Sequence, residues 1–306
     1  MDIVAQNKFA EPVGRGIIYR EALTLNKGII LVSAPTSLVK PLDPNTKNYA
    51  FRLIGNDTKT KFEFTHEVPS GATQFSQVFE LADSSIILIA AINEKRVDKY
   101  FNQGTTVVPQ DAFYTMTIKN GKVTQTEKFS SSDFYNSFKT PDGVRAEKSV
   151  YNPAYEITKN ISNEYLPNGG MLSFWSLYYP RPENNALSFY MGDLALQFSP
   201  EGKLEAKYWI ECKNTFKPAV ASSVIQKNDH EFFWLTYEGN ETGALATPQI
   251  TTIDVTAKKI GPKTIVGDDK HFVSQKYPVI QTSEGLQFFG FDKTGKEFWT
   301  QKVNLK

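Results

Sequence analysis

The chain has 306 residues and a formal net charge of +1, with 40% hydrophobic and 22% charged residues. That balance is globular and the length allows a large core; it excludes a disordered chain and a global basic field of the kind that draws nucleic acid. The longest apolar run, residues 86–92, is too short to span a bilayer, and the single cysteine, Cys212, excludes an intrachain disulfide.

Residues 1–8 lack the basic start and apolar stretch of a signal peptide. Either the chain works in the cytosol or a leader has been removed. Aromatic residues reach 13%, which favours strands, where flat rings pack on a pleated surface. Runs at 17–23, 28–34 and 49–53 read as strands and lead into a hairpin over 53–62. Runs at 77–81 and 86–92 lead into a second hairpin, 116–126, centred on Asn120-Gly121. Such a pair supplies positive φ without a Cβ clash and closes a tight turn. Residues 131–159 are the least regular part, and read as a long connection or a decayed blade.

Strands at 155–161, 171–178 and 187–198 lead into the hairpin 196–209, with Met191-Gly192-Asp193 as a bulge or a turn. Strands at 221–226 and 231–237 precede a weaker hairpin, 253–260. Strands at 278–282 and 286–291 precede the last, 289–299. The turn lysines Lys59, Lys122, Lys203, Lys258 and Lys296 are 63, 81, 55 and 38 residues apart, so the repeat is degenerate. Most intervals still hold the roughly 40 to 50 residues of a four-stranded blade. No run reads as a long helix, and no linker divides residues 1–306, which are taken as a single domain.

The hairpin with Asp292, Gly295, Lys296 and Trp299 resembles the blades of quinoprotein-like β-propellers. The resemblance is generic: it lacks the Trp-Asp signature of WD40 blades and the paired glycines of kelch blades. It implies an all-β propeller of five or six mostly four-stranded antiparallel blades, its ring closed by a strand at residues 2–5. Composition rich in Asn, Lys, Thr, Tyr and Phe is similar to that of bacterial envelope proteins, and implies a periplasmic or cell-surface location.

A propeller puts its third-to-fourth-strand turns at one end and its second-to-third-strand loops at the other. Here the first set is tight and the second is long: 35–48, 93–111, 179–185 and 239–247, joined by the connection 130–154. Long loops cost ordering entropy and are kept more often when they bind something. The candidate contact residues are Lys95, Arg96, Tyr100 and Phe101 in one loop and Tyr178, Tyr179 and Arg181 in another. Aromatics beside a guanidinium stack on a sugar ring or anchor a protein interface; alternatively, these rings fold back on their own loop bases.

His66, His230 and His271 are not at metal-ligand spacing, no Cys-x-x-Cys occurs, and Asp268-Asp-Lys270 is too sparse for a calcium loop. No glycine-rich phosphate cradle or Gly-x-Ser-x-Gly elbow is present, and no motif surrounds Cys212. Neither metal nor cofactor is expected. The surviving enzyme reading is glycoside hydrolysis, which needs two carboxyl groups flanking the scissile bond; Glu80, Asp83, Glu156 and Asp229 are the candidates. The sequence therefore points first to a non-enzymatic binding or assembly module for a protein or glycan partner, with a glycoside hydrolase as the alternative.

Overall fold

The structure, a computed structural model, describes residues 19–33, 47–70, 73–92, 111–141, 143–144, 156–180, 188–216, 222–239, 246–268, 270–273, 279–282 and 284–304. Sheet one is β1 (Tyr19–Leu25), β2 (Gly28–Ser33), β3 (Asn48–Gly55) and β4 (Thr60–Glu67), side by side and antiparallel. Sheet two repeats the order with β5 (Thr73–Glu80), β6 (Ile86–Ile92), β7 (Ala112–Lys119) and β8 (Lys122–Ser130). A six-residue helix, α1 (Ser131–Asn136), and two short strands, β9 (Lys139–Thr140) and β10 (Gly143–Val144), follow.

Sheet three is β11 (Glu156–Tyr165), β12 (Met171–Pro180), β13 (Ser188–Phe198) and β14 (Leu204–Phe216). Sheet four is β15 (Ser223–Gln226), β16 (Glu231–Gly239) and β17 (Ala246–Asp254), with β18 (Lys259–Ile260) and β19 (Thr264–Ile265) sharing the outer side of β17. Sheet five has β20 (His271–Val273) and β21 (Val279–Thr282) on successive stretches of β22 (Gly285–Asp292), and β23 (Phe298–Asn304) along its other side. Sheets one and two and the four strands of sheet three are up-and-down meanders, the unit from which propellers are built, and the fold is all-β and propeller-like. No described helix is long and apolar enough to cross a membrane.

The chain forms two compact units. Unit 1 contains sheets one and two, and also takes in turn residues 168–170 and 199–203; unit 2 contains sheets three to five. In unit 1 the first strands β1 and β5 lie against each other. Its core is the layer between the two sheets, where Ile30, Val32, Phe51 and Leu53 meet Phe75, Leu88, Ala90 and Met116. β6 is buried at every position, whereas β4 and β8 alternate exposed and half-buried residues. That alternation is the period of an outer strand with one face on the core.

Unit 2 has two such layers. Between sheets three and four, Phe174 meets Trp234 edge to face with ring centres 5.2 Å apart. Between sheets four and five, Leu235 and Tyr237 pack with Leu286 and Phe288.

The five hairpins expected from the sequence are all present. Asn120 and Gly121 both have positive φ, 51° and 72°, as a two-residue turn between β7 and β8 requires. Residues 191–193 form a bulge: Gly192 has φ +134° and the β13 register shifts there while pairing continues. Residues 131–159, expected to be a long connection or a decayed blade, run between sheets two and three. Their described part is α1, β9, β10 and the start of β11, and β9 pairs in parallel with β14, so β9 and β10 extend the edge of sheet three. The sequence reading also missed β20, which is only three residues long. Residues 2–5, expected to close a ring, lie outside the described residues.

Candidate binding groove

In unit 1 the outer strands β4 and β8 flank an open groove of about 470 Å³, within the size range of small-ligand sites. Its walls include Phe64 and His66 of β4 and Val123, Gln125 and Thr126 of β8. Strand alternation puts Phe62, Phe64 and His66 on one face of β4, half-buried, with exposed residues between them.

The ring of Phe64 stacks on Phe51 at 5.3 Å with planes 17° apart, and Phe62 tilts against it at 5.8 Å. At the tip of β8, Gly121 has to be glycine: a Cβ there would lie 2.8 Å from the Cβ of Phe62, at φ +72°.

Behind the lining residues His66 and Thr126 lies a buried phenol. The Tyr114 hydroxyl, from β7, lies 3.4 Å from His66 Nε2 and shares a side-chain hydrogen bond with Thr126. Burial holds the His66 imidazole below the usual histidine range, against a weaker upward pull from the Glu67 carboxylate. Burial likewise raises the Tyr114 phenol. Both groups are therefore neutral at pH 7. The groove thus offers the Phe64 ring and mostly uncharged donors and acceptors, with Lys122 as its one charged lining residue, an arrangement that suits polar molecules with apolar faces. Among the described residues, no three His, Cys, Asp or Glu side chains gather where they could hold a metal ion.

Lys95, Arg96, Tyr100, Phe101 and Arg181 lie outside the described residues. Tyr178 and Tyr179 belong to β12, which runs on to Pro180, with Tyr178 paired to Tyr190 and Tyr179 to Phe189. Tyr179, expected in a loop, is thus strand backbone.

The four candidate carboxylates fare differently. Glu80 pairs with Lys27 at 2.6 Å. Asp83 pairs with Lys119 at 2.6 Å and accepts a hydrogen bond from the Ser85 amide. The Lys119 contact comes first among the causes that lower the Asp83 carboxyl to about 2. Asp229 is exposed in the turn before β16. Glu156 opens β11.

Sequence reading missed the groove. The one available signal was the Phe62-x-Phe64-x-His66 alternation, which places a histidine in line with core aromatics. Nothing in the sequence says that β4 faces β8.

The chain matches no protein-family model and no curated protein. Solved structures share its fold at low identity. The Dos1 propeller is 7% identical with a TM-score of 0.35, covering 85% of this chain and 56% of that one. The β-propeller domain of the Trilobed protease from Pyrococcus furiosus is 8% identical with a TM-score of 0.36, covering 92% and 68%. The polysaccharide lyase Uly1 is 12% identical with a TM-score of 0.32, covering 93% and 57%. This chain thus spans little more than half the length of the Dos1 and Uly1 structures, and overlaps this loose transfer no function.

Proposed function

We propose that this chain is a non-enzymatic binding module that takes a glycan in the β4–β8 groove. The observation that carries the reading is the groove itself: the Phe64 ring, stacked on Phe51, beside the polar side chains of His66, Gln125 and Thr126, with the Tyr114 hydroxyl behind His66. Sugars present apolar C–H faces to aromatic rings and hydroxyls to uncharged polar groups, so both halves of the lining are used. From sequence alone, the long loops with Lys95, Arg96, Tyr100, Phe101, Tyr178, Tyr179 and Arg181 add a surface for a protein or glycan partner. The composition favours a periplasmic or cell-surface setting.

Glycoside hydrolysis is the weaker reading. It needs a free acid and a free carboxylate across the bond, whereas Glu80 and Asp83 are each held by a lysine.

Titration of neutral oligosaccharides by isothermal calorimetry tests the groove. Phe64→Ala and His66→Ala are each expected to weaken binding at least about tenfold, a loss of roughly 1.4 kcal/mol. A panel with no binder, or full affinity in both variants, defeats the groove assignment. The triple variant Tyr178→Ala, Tyr179→Ala, Arg181→Ala tests the loops separately by co-purification; unchanged capture of a partner removes them from the contact surface.

A further inference from the structure

On β16 the face turned towards sheet three carries Phe232, Trp234 and Thr236; the residues opposite on β17 are Ile253, Thr251 and Gln249. Near the tight turns this face is apolar, and Phe232, Ile253 and the ring of Trp234 join Phe174 in the core. Towards the other end it becomes polar. Trp234 stands opposite Thr251 and Thr236 opposite Gln249, so the four side chains form a two-by-two block with Cβ atoms about 5 Å apart across the ladder.

All four residues are at most 2% exposed. Yet Trp234 Nε1, Thr236 Oγ1, Thr251 Oγ1 and Gln249 Oε1 find no hydrogen-bond partner among the described residues. The other end of the Gln249 amide donates to Glu238 Oε2 at 2.5 Å, which leaves Oε1 as an acceptor. The facing sheet also carries a buried charge: the Asp193 carboxylate, on β13 of sheet three, accepts hydrogen bonds from Ser176 at 2.9 Å and from Ser222, the residue before β15. Buried polar groups are costly without partners and nearly always have them, so four on one patch require an explanation.

The mixture of groups narrows what can meet them. The indole N–H only donates, the amide oxygen only accepts, and the two threonine hydroxyls do either. A cation would serve the oxygens and leave the indole N–H unmet. An anion would leave the amide oxygen unmet. A hydroxyl both donates and accepts. We propose that the Trp234–Thr236–Gln249–Thr251 block holds a buried hydroxyl guest, either ordered water or the hydroxyl of a small sugar or polyol. This site lies within unit 2 and stands independently of the groove.

Thermal unfolding of Thr236→Val and Thr251→Val tests it by sign. With a guest bound, each near-isosteric change strips the guest of a partner and lowers Tm by about 2 to 4 °C. Without a guest, each change removes an unmet hydroxyl and Tm stays or rises, which overturns the proposal. Adding glycerol or a monosaccharide panel separates the sources. A sugar or polyol guest raises the Tm of the wild type and not of Thr236→Val; a water guest gives no such response. Should a variant fail to fold, a high-resolution crystal structure of the wild type decides. Density for an oxygen bridging Thr236 Oγ1 and Gln249 Oε1 supports the guest, and its absence refutes it.

Discussion

Removing the stacked pair behind the groove wall gives the most direct measurement of how the core supports the site. Phe51 is fully buried; it stacks on Phe64 at 5.3 Å and meets Phe75 edge-on at 5.4 Å. Leucine at position 51 keeps most of the apolar burial and loses both ring pairs. At about 0.5–1.5 kcal/mol per pair, Phe51→Leu costs about 1–3 kcal/mol. Phe51→Ala also opens a cavity and costs about 3–5 kcal/mol. Phe64→Leu breaks the same stack from the other side, so the double variant is expected to fall short of additivity by about 0.5–1.5 kcal/mol. Because the four tryptophans all lie at position 175 or later, fluorescence would miss these losses. Urea denaturation followed by circular dichroism, with hydrogen exchange read on β3 amides, reports them. Phe51→Ala is also expected to weaken glycan binding, since Phe64 loses its backing while keeping its own ring. Additivity within about 0.3 kcal/mol would show that the two rings do not stabilise each other and would refute the argument.

Two further outcomes follow from the same geometry. Because burial depresses the His66 imidazole below its ordinary 6.5, the unfolded chain takes up a proton first as the pH falls. Stability is therefore lost as pH drops from 6.5 towards the folded value. Urea unfolding at pH 7.5 and 5 should show a smaller difference for His66→Gln than for the wild type, and an equal difference would contradict the assignment. Gly290→Ala would place a Cβ 1.7 Å from the Phe272 carbonyl oxygen and 2.7 Å from Trp299 Nε1. The β20–β22 pairing and the Trp299 to Phe272 hydrogen bond of 3.0 Å then have to give way, at about 1–3 kcal/mol. A Tm equal to that of the wild type would mean that β20 does not hold this position.

The hairpins were legible because their causes are local. Asn120-Gly121 and Asp292 to Lys296 carry their own turn chemistry, and the flanking alternation fixes which residues face inward. β20 and β19 were not legible, because two or three residues carry no period and exist only by pairing with β22 and β17. The groove depends on which outer strands become neighbours, a contact between sheets that spacing does not encode. The buried block left a trace that was not used: along β16 the inward series runs Phe232, Trp234, Thr236, and along β17 it runs Ile253, Thr251, Gln249. Polar residues at positions where the period demands apolar ones mark either a functional site or strain.

The two ends of the sheets differ in chemistry, and that difference bears on where ligands can act. At the tight-turn end the polar side chains are committed to the turns. Asp292 Oδ1 accepts from the amides of Lys296 and Glu297, Asp254 Oδ1 from those of Thr256 and Ala257, and Asn228 Oδ1 from those of His230 and Glu231. The turn amides and Thr294 lower the Asp292 carboxyl to about 2. A carboxylate bound in this way is a poor proton donor or nucleophile at neutral pH, because using it would dissolve the turn it holds. Catalysis by these side chains would oppose folding. At the other end of sheet four the polar atoms of Thr236, Gln249 and Thr251 are buried with their bonding capacity unspent. Binding there adds partners and removes none, so in sheet four the end opposite the turns is a place where a guest lowers the free energy.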